Sequence, residues 1–185
     1  VSREGDRAAF EELVARESPD LLRYLLRRVD EREDAADLLA DTLLIAWRRF
    51  DRVPAEPLEA RLWLFGVARR VLSNHRRSRT RRAALSDRLR DHLATAPPAA
   101  GQESADPRVD ALREAIATLP RADLDLLGLV HWEGFSLADA ASILGARPGT
   151  VRMRYARLKE RLRRAGDLGG SRHAPSALSD PRRPQ

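Results

Sequence analysis

The sequence predicts an all-α protein: two small helical domains joined by a flexible linker, the second a helix-turn-helix. Three observations carry this. Apolar residues recur at three- and four-residue spacing along most of the chain, with little alternation of period two. Arg, Ala and Leu dominate, while aromatic residues make up 5% of the 185 positions. The stretch TAPPAAGQESADP interrupts the helical pattern near the middle with residues that favour loops. The expected organisation is a first domain over 4–83, a linker over 84–107, a second domain over 108–165, and a Gly-, Ser-, Pro- and Arg-rich tail over 166–185 read as disordered.

Taken in order, Glu4 to Val29 is helical in pattern. Phe10, Leu13 and Val14 form one apolar stripe, and Leu21, Leu22, Leu25, Leu26 and Val29 another. Ser18-Pro19 can cap and start a helix, so a break or kink is expected between the stripes. The charged run Asp30–Asp34 makes the turn. From Ala35 to Phe50 a second helix places Ala35, Leu39, Thr42, Ala46 and Phe50 on one inward face. A neighbouring stripe of Asp37, Asp41, Leu44 and Arg48 mixes carboxylates with an apolar side chain. It reads either as acids and bases complementing the helix dipole or as a docking surface, and periodicity alone does not separate the two.

Asp51 to Pro57 is a loop. The helix opened by Leu58 is apolar on most sides through Leu62, Trp63, Leu64, Phe65, Val67, Ala68, Val71 and Leu72, so several neighbours must bury it. From Arg69 it becomes RRVLSNHRRSRTRR, with seven arginines and no acid. A helix anchored at one end and cationic at the other can offer its free half to phosphates. Asn74 and His75 are the uncharged side chains there suited to a base edge or an unstacked base, although a histidine in such a place is commonly an ordinary surface residue. Past the linker, Val109, Leu112, Ile116 and Leu119 make an amphipathic helix closed by Pro120. Leu124, Leu127 and Val130 begin another.

The strongest local pattern is SLADAASILGARPGTVRMRYARLKERL, Ser136–Leu162. Ser136 and Asp139 can form a capping box, Gly145 supplies the turn, and Pro148 suits the first position of the next helix. Ala141, Gly145 and Val151 have helix-turn-helix spacing: a small residue for close crossing, a glycine turn and a branched anchor. Val151, Tyr155, Leu158 and Leu162 face inward, leaving Arg147, Arg152, Arg154, Arg157 and Lys159 outward. The half offered to a major groove would be Gly149, Thr150, Arg152, Met153 and Arg154.

The net charge of +6, carried almost wholly by arginine, fits a polyanionic partner. With no cysteine there is no disulfide framework or thiolate metal site. His75, His92, His131 and His173 are scattered without metal-ligand spacing or a nucleophile beside them, and no phosphate-cradling glycine loop is present. No enzyme, metal or cofactor is expected. No apolar run approaches the ~20 residues needed to cross a bilayer and no signal-peptide pattern opens the chain, so a cytoplasmic location without membrane insertion is expected. An ordinary helix-turn-helix regulator would share the second domain but leave the buried-then-basic helix and the acidic stripe unexplained.

Four segments in order, FEELVARESPDLLRYLLRRV, DAADLLADTLLIAWRRF, WLFGVARRVLSNHRR and LPRADLDLLGLVHWEGFSLADAASILGARPGTVRMRYARLKERL, make the chain resemble the extracytoplasmic-function (group IV) sigma factors of bacterial RNA polymerase. The resemblance runs from about Phe10 to Ala165 and implies a sigma factor that binds core RNA polymerase and reads promoter −10 and −35 elements. It places Asp37, Asp41, Thr42 and Leu44 on the surface for the β′ clamp helices, with Trp47 nearby. Trp63, Arg69, Arg70, Asn74, His75, Arg76 and Arg77 fall on the −10 reader. Arg147, Thr150, Arg152, Met153, Arg154 and Arg157 fall on the −35 reader, in the domain that meets the β flap. Arg70 stands where many members carry Asn, and Met153 where a small polar residue is common, so charge and a thioether replace hydrogen-bonding readout there. An anti-sigma factor is implied by analogy alone.

Overall fold

A computed structural model describes residues 3–90 and 106–171, with side chains for 4–81 and 106–167. Most of the expected 84–107 linker, the end of the 166–185 tail, His92 and His173 lie outside the described residues or side chains. The described chain is helical, in the order α1 (Arg3–Leu26), α2 (Arg32–Arg48), a short 3-10 turn (Phe50–Arg52), α3 (Pro57–Arg90), α4 (Pro107–Ala117), α5 (Arg121–His131), α6 (Leu137–Leu144) and α7 (Pro148–Ser171).

The first unit packs α1 and α2 around the apolar half of α3. Leu21, Tyr24 and Leu25 meet Ala35, Leu38 and Ala46 of α2 and Leu64, Phe65, Ala68 and Leu72 of α3, all nearly or fully buried. Tyr24 and Phe65 cross edge to face at 5.3 Å. Because α3 is buried on so many sides, it is the axle of the molecule, as its all-round apolarity requires. Arg61 brings charge to this core's edge: it donates to Glu17 and to Asp20, each at 2.7 Å, and Glu17 is itself buried.

The expected break at Ser18-Pro19 is absent, and α1 runs through Pro19. Proline leaves the carbonyl four residues back without its helical partner. Here that residue, Ala15, is exposed, as is Pro19, so water can take up the bond. Helix α3 continues to Arg90 and α7 to Ser171, further than the sequence pattern indicates.

In the second unit α4 lies along α7, and Leu119, Leu127 and Leu158 form a small core with Ile116, Leu124 and Leu162. Asp106 caps α4 by accepting from Arg108 N at 2.8 Å, ahead of Pro107 at the first helical position. The two units are packed together. Leu126, Leu129, Phe135, Ala140, Ala141, Ile143 and Val151 join the same apolar cluster as α1–α3, and Phe65 meets Phe135 edge to face at 4.9 Å.

Candidate nucleic-acid interface

Two surfaces combine positive charge with groups suited to nucleic acid. The first is a cleft of about 490 Å³ between the end of α2, the 3-10 turn and α3. Arg48, Arg49, Arg52 and Arg70 surround it, with Trp63 and Asn74 in its wall. Asn74 Oδ1 accepts from Arg77 Nη2 at 2.9 Å. This brings an aromatic face, an amide and four guanidinium groups within the span of a nucleotide or two, the combination that stacks a base and holds its phosphates. Helix α3 supplies it because Trp63, Arg70 and Asn74 lie successively along one side while Leu64, Phe65, Ala68 and Leu72 anchor the other.

The other basic residues of α3 are held differently. His75 Nε2 lies 3.3 Å from Asp34 Oδ2 of α2, so the ring is tied to a neighbouring carboxylate and partly covered. Arg69 and Arg76 line a separate cleft, of about 530 Å³, that faces Arg121 and Asp125 of α5. Arg76 donates to the Arg28 carbonyl at 3.1 Å and stands 3.8 Å from Asp125. Burial, with Arg121 adding like charge, lowers its pKa below the usual guanidinium value.

The second surface is the helix-turn-helix. Ser136 Oγ accepts from Asp139 N while Ser136 N donates to Asp139 Oδ2, each at 3.1 Å, completing the capping box. Gly145 ends α6 with φ +64°, a left-handed conformation that glycine adopts without a Cβ penalty. Buried Ala140 and Ala141 let α7 cross close by, and Val151 and Leu158 seat it. Arg147, Thr150, Arg152, Met153, Arg154 and Arg157 are all exposed. Arg154 Nε sits 2.9 Å from Asp123 Oδ1, which steadies its guanidinium against α5. Arg157 lines a groove between α4 and α7 together with Glu114 and Glu160.

Residues 13–82 match the family model for Sigma-70 region 2, and residues 110–162 that for Sigma-70, region 4. The chain is 34% identical over 174 residues to the ECF RNA polymerase sigma factor SigM of Mycobacterium tuberculosis, spanning 86% of this chain and 78% of that protein. It is 33% identical over 169 residues to the ECF RNA polymerase sigma factor SigF of Caulobacter vibrioides, spanning 88% and 90%. The chain belongs to the extracytoplasmic-function sigma factors. It is therefore an RNA polymerase sigma factor that directs promoter-specific transcription initiation. Among solved structures, the sigma factor RpoE of Bartonella quintana, in complex with the anti-sigma factor NepR, is similar at a TM-score of 0.62 and 26% identity, over 86% of this sigma factor and 98% of RpoE.

On the sigma factor's α2, Asp37, Asp41 and Leu44 are exposed on one side. Trp47 is 45% exposed and packs on Phe10, with ring centroids 5.0 Å apart, and beside Phe50. Thr42 does not share that surface. It is fully buried and its hydroxyl donates to the Leu38 carbonyl at 2.7 Å. Periodicity puts Thr42 inward and the family resemblance puts it among docking residues; the structure follows periodicity, because Thr42 fills the space between the helices. Arg48, Arg49 and Arg52 join Trp63 only through the fold, since α2 alone presents them as charges at a helix end. Among the described residues no cluster of three or more potential metal ligands occurs, and no helix is long and apolar enough to cross a membrane.

Proposed function

We propose that the sigma factor reads its promoter through two separate surfaces. The α2–α3 cleft, with Trp63, Arg70 and Asn74 joined by Arg48, Arg49 and Arg52, captures unstacked bases of the −10 element. Arg69, His75, Arg76 and Arg77 belong to the same reader: Arg77 binds backbone phosphate, His75 positions α3 against α2, and Arg69 and Arg76 serve when α5 is away. In α7, Thr150, Arg152, Met153 and Arg154 meet base edges and phosphates of the −35 element, flanked by Arg147 and Arg157. The units correspond to residues 4–83 and 108–165, with 84–107 as the connection. The face bearing Asp37, Asp41, Leu44 and Trp47 docks on the β′ clamp helices of core polymerase, and the second unit meets the β flap.

The observation that carries this reading is the coexistence in one chain of a cationic cleft with an aromatic wall and an exposed recognition helix. Each gives modest affinity alone. Polymerase holds both at a set separation, so engagement of one raises the effective concentration of the other. Trapping bases in the cleft draws the duplex toward the open form. The protein acts in the cytoplasm by binding and without catalysis of its own; DNA incubated with it and Mg²⁺ stays intact. By analogy with the RpoE complex with NepR, an anti-sigma factor is its regulatory partner. Run-off transcription with core polymerase on a promoter library, followed by sequencing of the transcribed templates, tests the reading. Two selected sequence blocks are expected. Binding to a defined duplex without polymerase, and no transcription with it, would overturn the reading.

A further inference from the structure

The cleft of about 530 Å³ between α3 and α5 holds charge that the protein does not balance. Arg69, Arg76, Arg77 and Arg81 line it from α3, along about 18 Å of helix axis. Arg121 lines it from the first turn of α5, and Asp125 is the one carboxylate among the described residues of its wall. That acid is shared and not in firm contact with either cation. Its Oδ1 stands 3.8 Å from Arg76 and 3.9 Å from the buried Arg28, beyond hydrogen-bond length to both. Among the described residues no carboxylate comes within ion-pair distance of Arg69, Arg77, Arg81 or Arg121.

Like charges meet across this cleft. Burial first, and then the guanidinium of Arg121 on the opposite wall, hold Arg76 below its usual pKa. The Nε atoms of Arg69 and Arg76 are both buried and have no hydrogen-bond partner. Buried donors are nearly always paired, so two orphans on one wall call for an acceptor that the chain does not supply. The α5 side adds further donors. Pro120 is the N-cap residue and offers no side-chain cap, which leaves the N–H groups of Arg121 and Ala122 at the positive end of the helix, beside the cleft. Three observations of different kinds therefore agree: unmatched charge, orphaned buried donors and an uncapped helix start.

We propose that the α3–α5 cleft binds a short chain of linked phosphates, as inorganic polyphosphate or as the phosphate tail of a nucleotide, between Arg69 and Arg76 on one wall and Arg121 on the other. Guanidinium groups suit phosphate oxygens in two-point contact, and a single phosphate would leave most of the α3 row unmet. The volume lies in the range of small-ligand pockets. The site is distinct from the α2–α3 cleft, and it does not depend on the −10 assignment of α3.

Titration calorimetry on the full-length protein tests this with inorganic tripolyphosphate, ATP, AMP and sulfate. Tripolyphosphate is expected to bind one to one, about tenfold or more tightly than AMP or sulfate, because each further phosphate adds charge-assisted contacts. ATP binding as tight as that of tripolyphosphate would extend the site to nucleotide tails; weaker ATP binding would restrict it to inorganic polyphosphate. Either result supports the site. Arg121→Glu should weaken tripolyphosphate binding about tenfold or more, the loss expected for one charged partner. Arg76→Gln should act alike from the other wall. Lys159→Glu makes the same charge change as Arg121→Glu at an exposed position of α7 and should leave binding unaltered. Arg121 is exposed at a helix start, so its variant keeps the fold. Thermal melts check this, and tripolyphosphate should raise the midpoint of the parent and of Lys159→Glu but not of Arg121→Glu. Equal losses in Arg121→Glu and Lys159→Glu would reduce the effect to net charge and overturn the site. Binding of a single-stranded oligonucleotide without binding of tripolyphosphate would make the cleft part of the nucleic-acid surface and overturn it too.

Discussion

At the scale of single residues, the two readers call for different tests because their arginines are held differently. Arg152 is exposed on α7, and no ion-pair partner for it appears among the described residues. If it reads a base edge, Arg152→Ala should weaken promoter binding by about 1–3 kcal/mol, and only on templates with the preferred −35 base. Equilibrium binding of holoenzyme to a −35 substitution series checks this; a uniform loss would make it a phosphate contact. Tyr24 allows a test of the core. Its phenol is buried against Phe65 and Arg28, and burial pushes its pKa up from 10.0 to about 12. The unfolded chain releases this proton first, so the folded state is favoured in full below about pH 10. Stability then falls by up to ~1.4 kcal/mol per pH unit as pH rises from 10 toward 12. Phenolate absorbance in a Tyr155→Phe background should report the late titration, and denaturant melts should report the slope.

At the scale of elements, the helix-turn-helix depends on local backbone chemistry. Gly145→Ala places a Cβ on a φ of +64° and should cost about 1–2 kcal/mol. Ser136→Ala removes the capping box and should cost about 1 kcal/mol. Both should lower the thermal midpoint and −35 affinity together, while association with core polymerase through α2 is retained. These features were legible in the sequence because cap, turn and anchor lie within a few residues of one another. The buried half of α3 was legible too, since apolarity on every side has one physical solution. At Pro19 no break occurs, because Ala15 and Pro19 both lie on the exposed side of α1, where water can take the freed carbonyl and the helix has room around the ring. Arg48, Arg49 and Arg52 were unreadable as part of the cleft because the chain folds back before they meet Trp63. The ion pairs of buried Glu133 with Arg27 and Arg28 were unreadable for the same reason, since the partners lie more than a hundred residues apart in the chain.

At the scale of the whole molecule, a net charge of +6 conceals an uneven distribution. The acids Asp37 and Asp41 gather on the face of α2 assigned to polymerase, while α3 carries seven arginines and no acid from Arg69 to Arg82. Separate signs on separate faces let one small protein meet a polymerase and a polyanion without each competing for the other's surface. The consequence is measurable in salt. Each phosphate contact contributes roughly 0.7 to the slope of log affinity against log salt for single strands and about 0.9 for duplex. Arg77 and Arg81 are exposed on α3 beyond the cleft. Changing both to Gln should reduce the magnitude of the holoenzyme–promoter slope by about 1–2, with equal loss across −10 sequences, because phosphates carry no sequence. Trp63→Ala should do the reverse, leaving the slope intact while costing about 1–3 kcal/mol on the preferred −10 sequence, as expected for loss of one stacked base. If both variants change the slope alike, the cleft is a plain electrostatic groove, and base reading must lie elsewhere on α3.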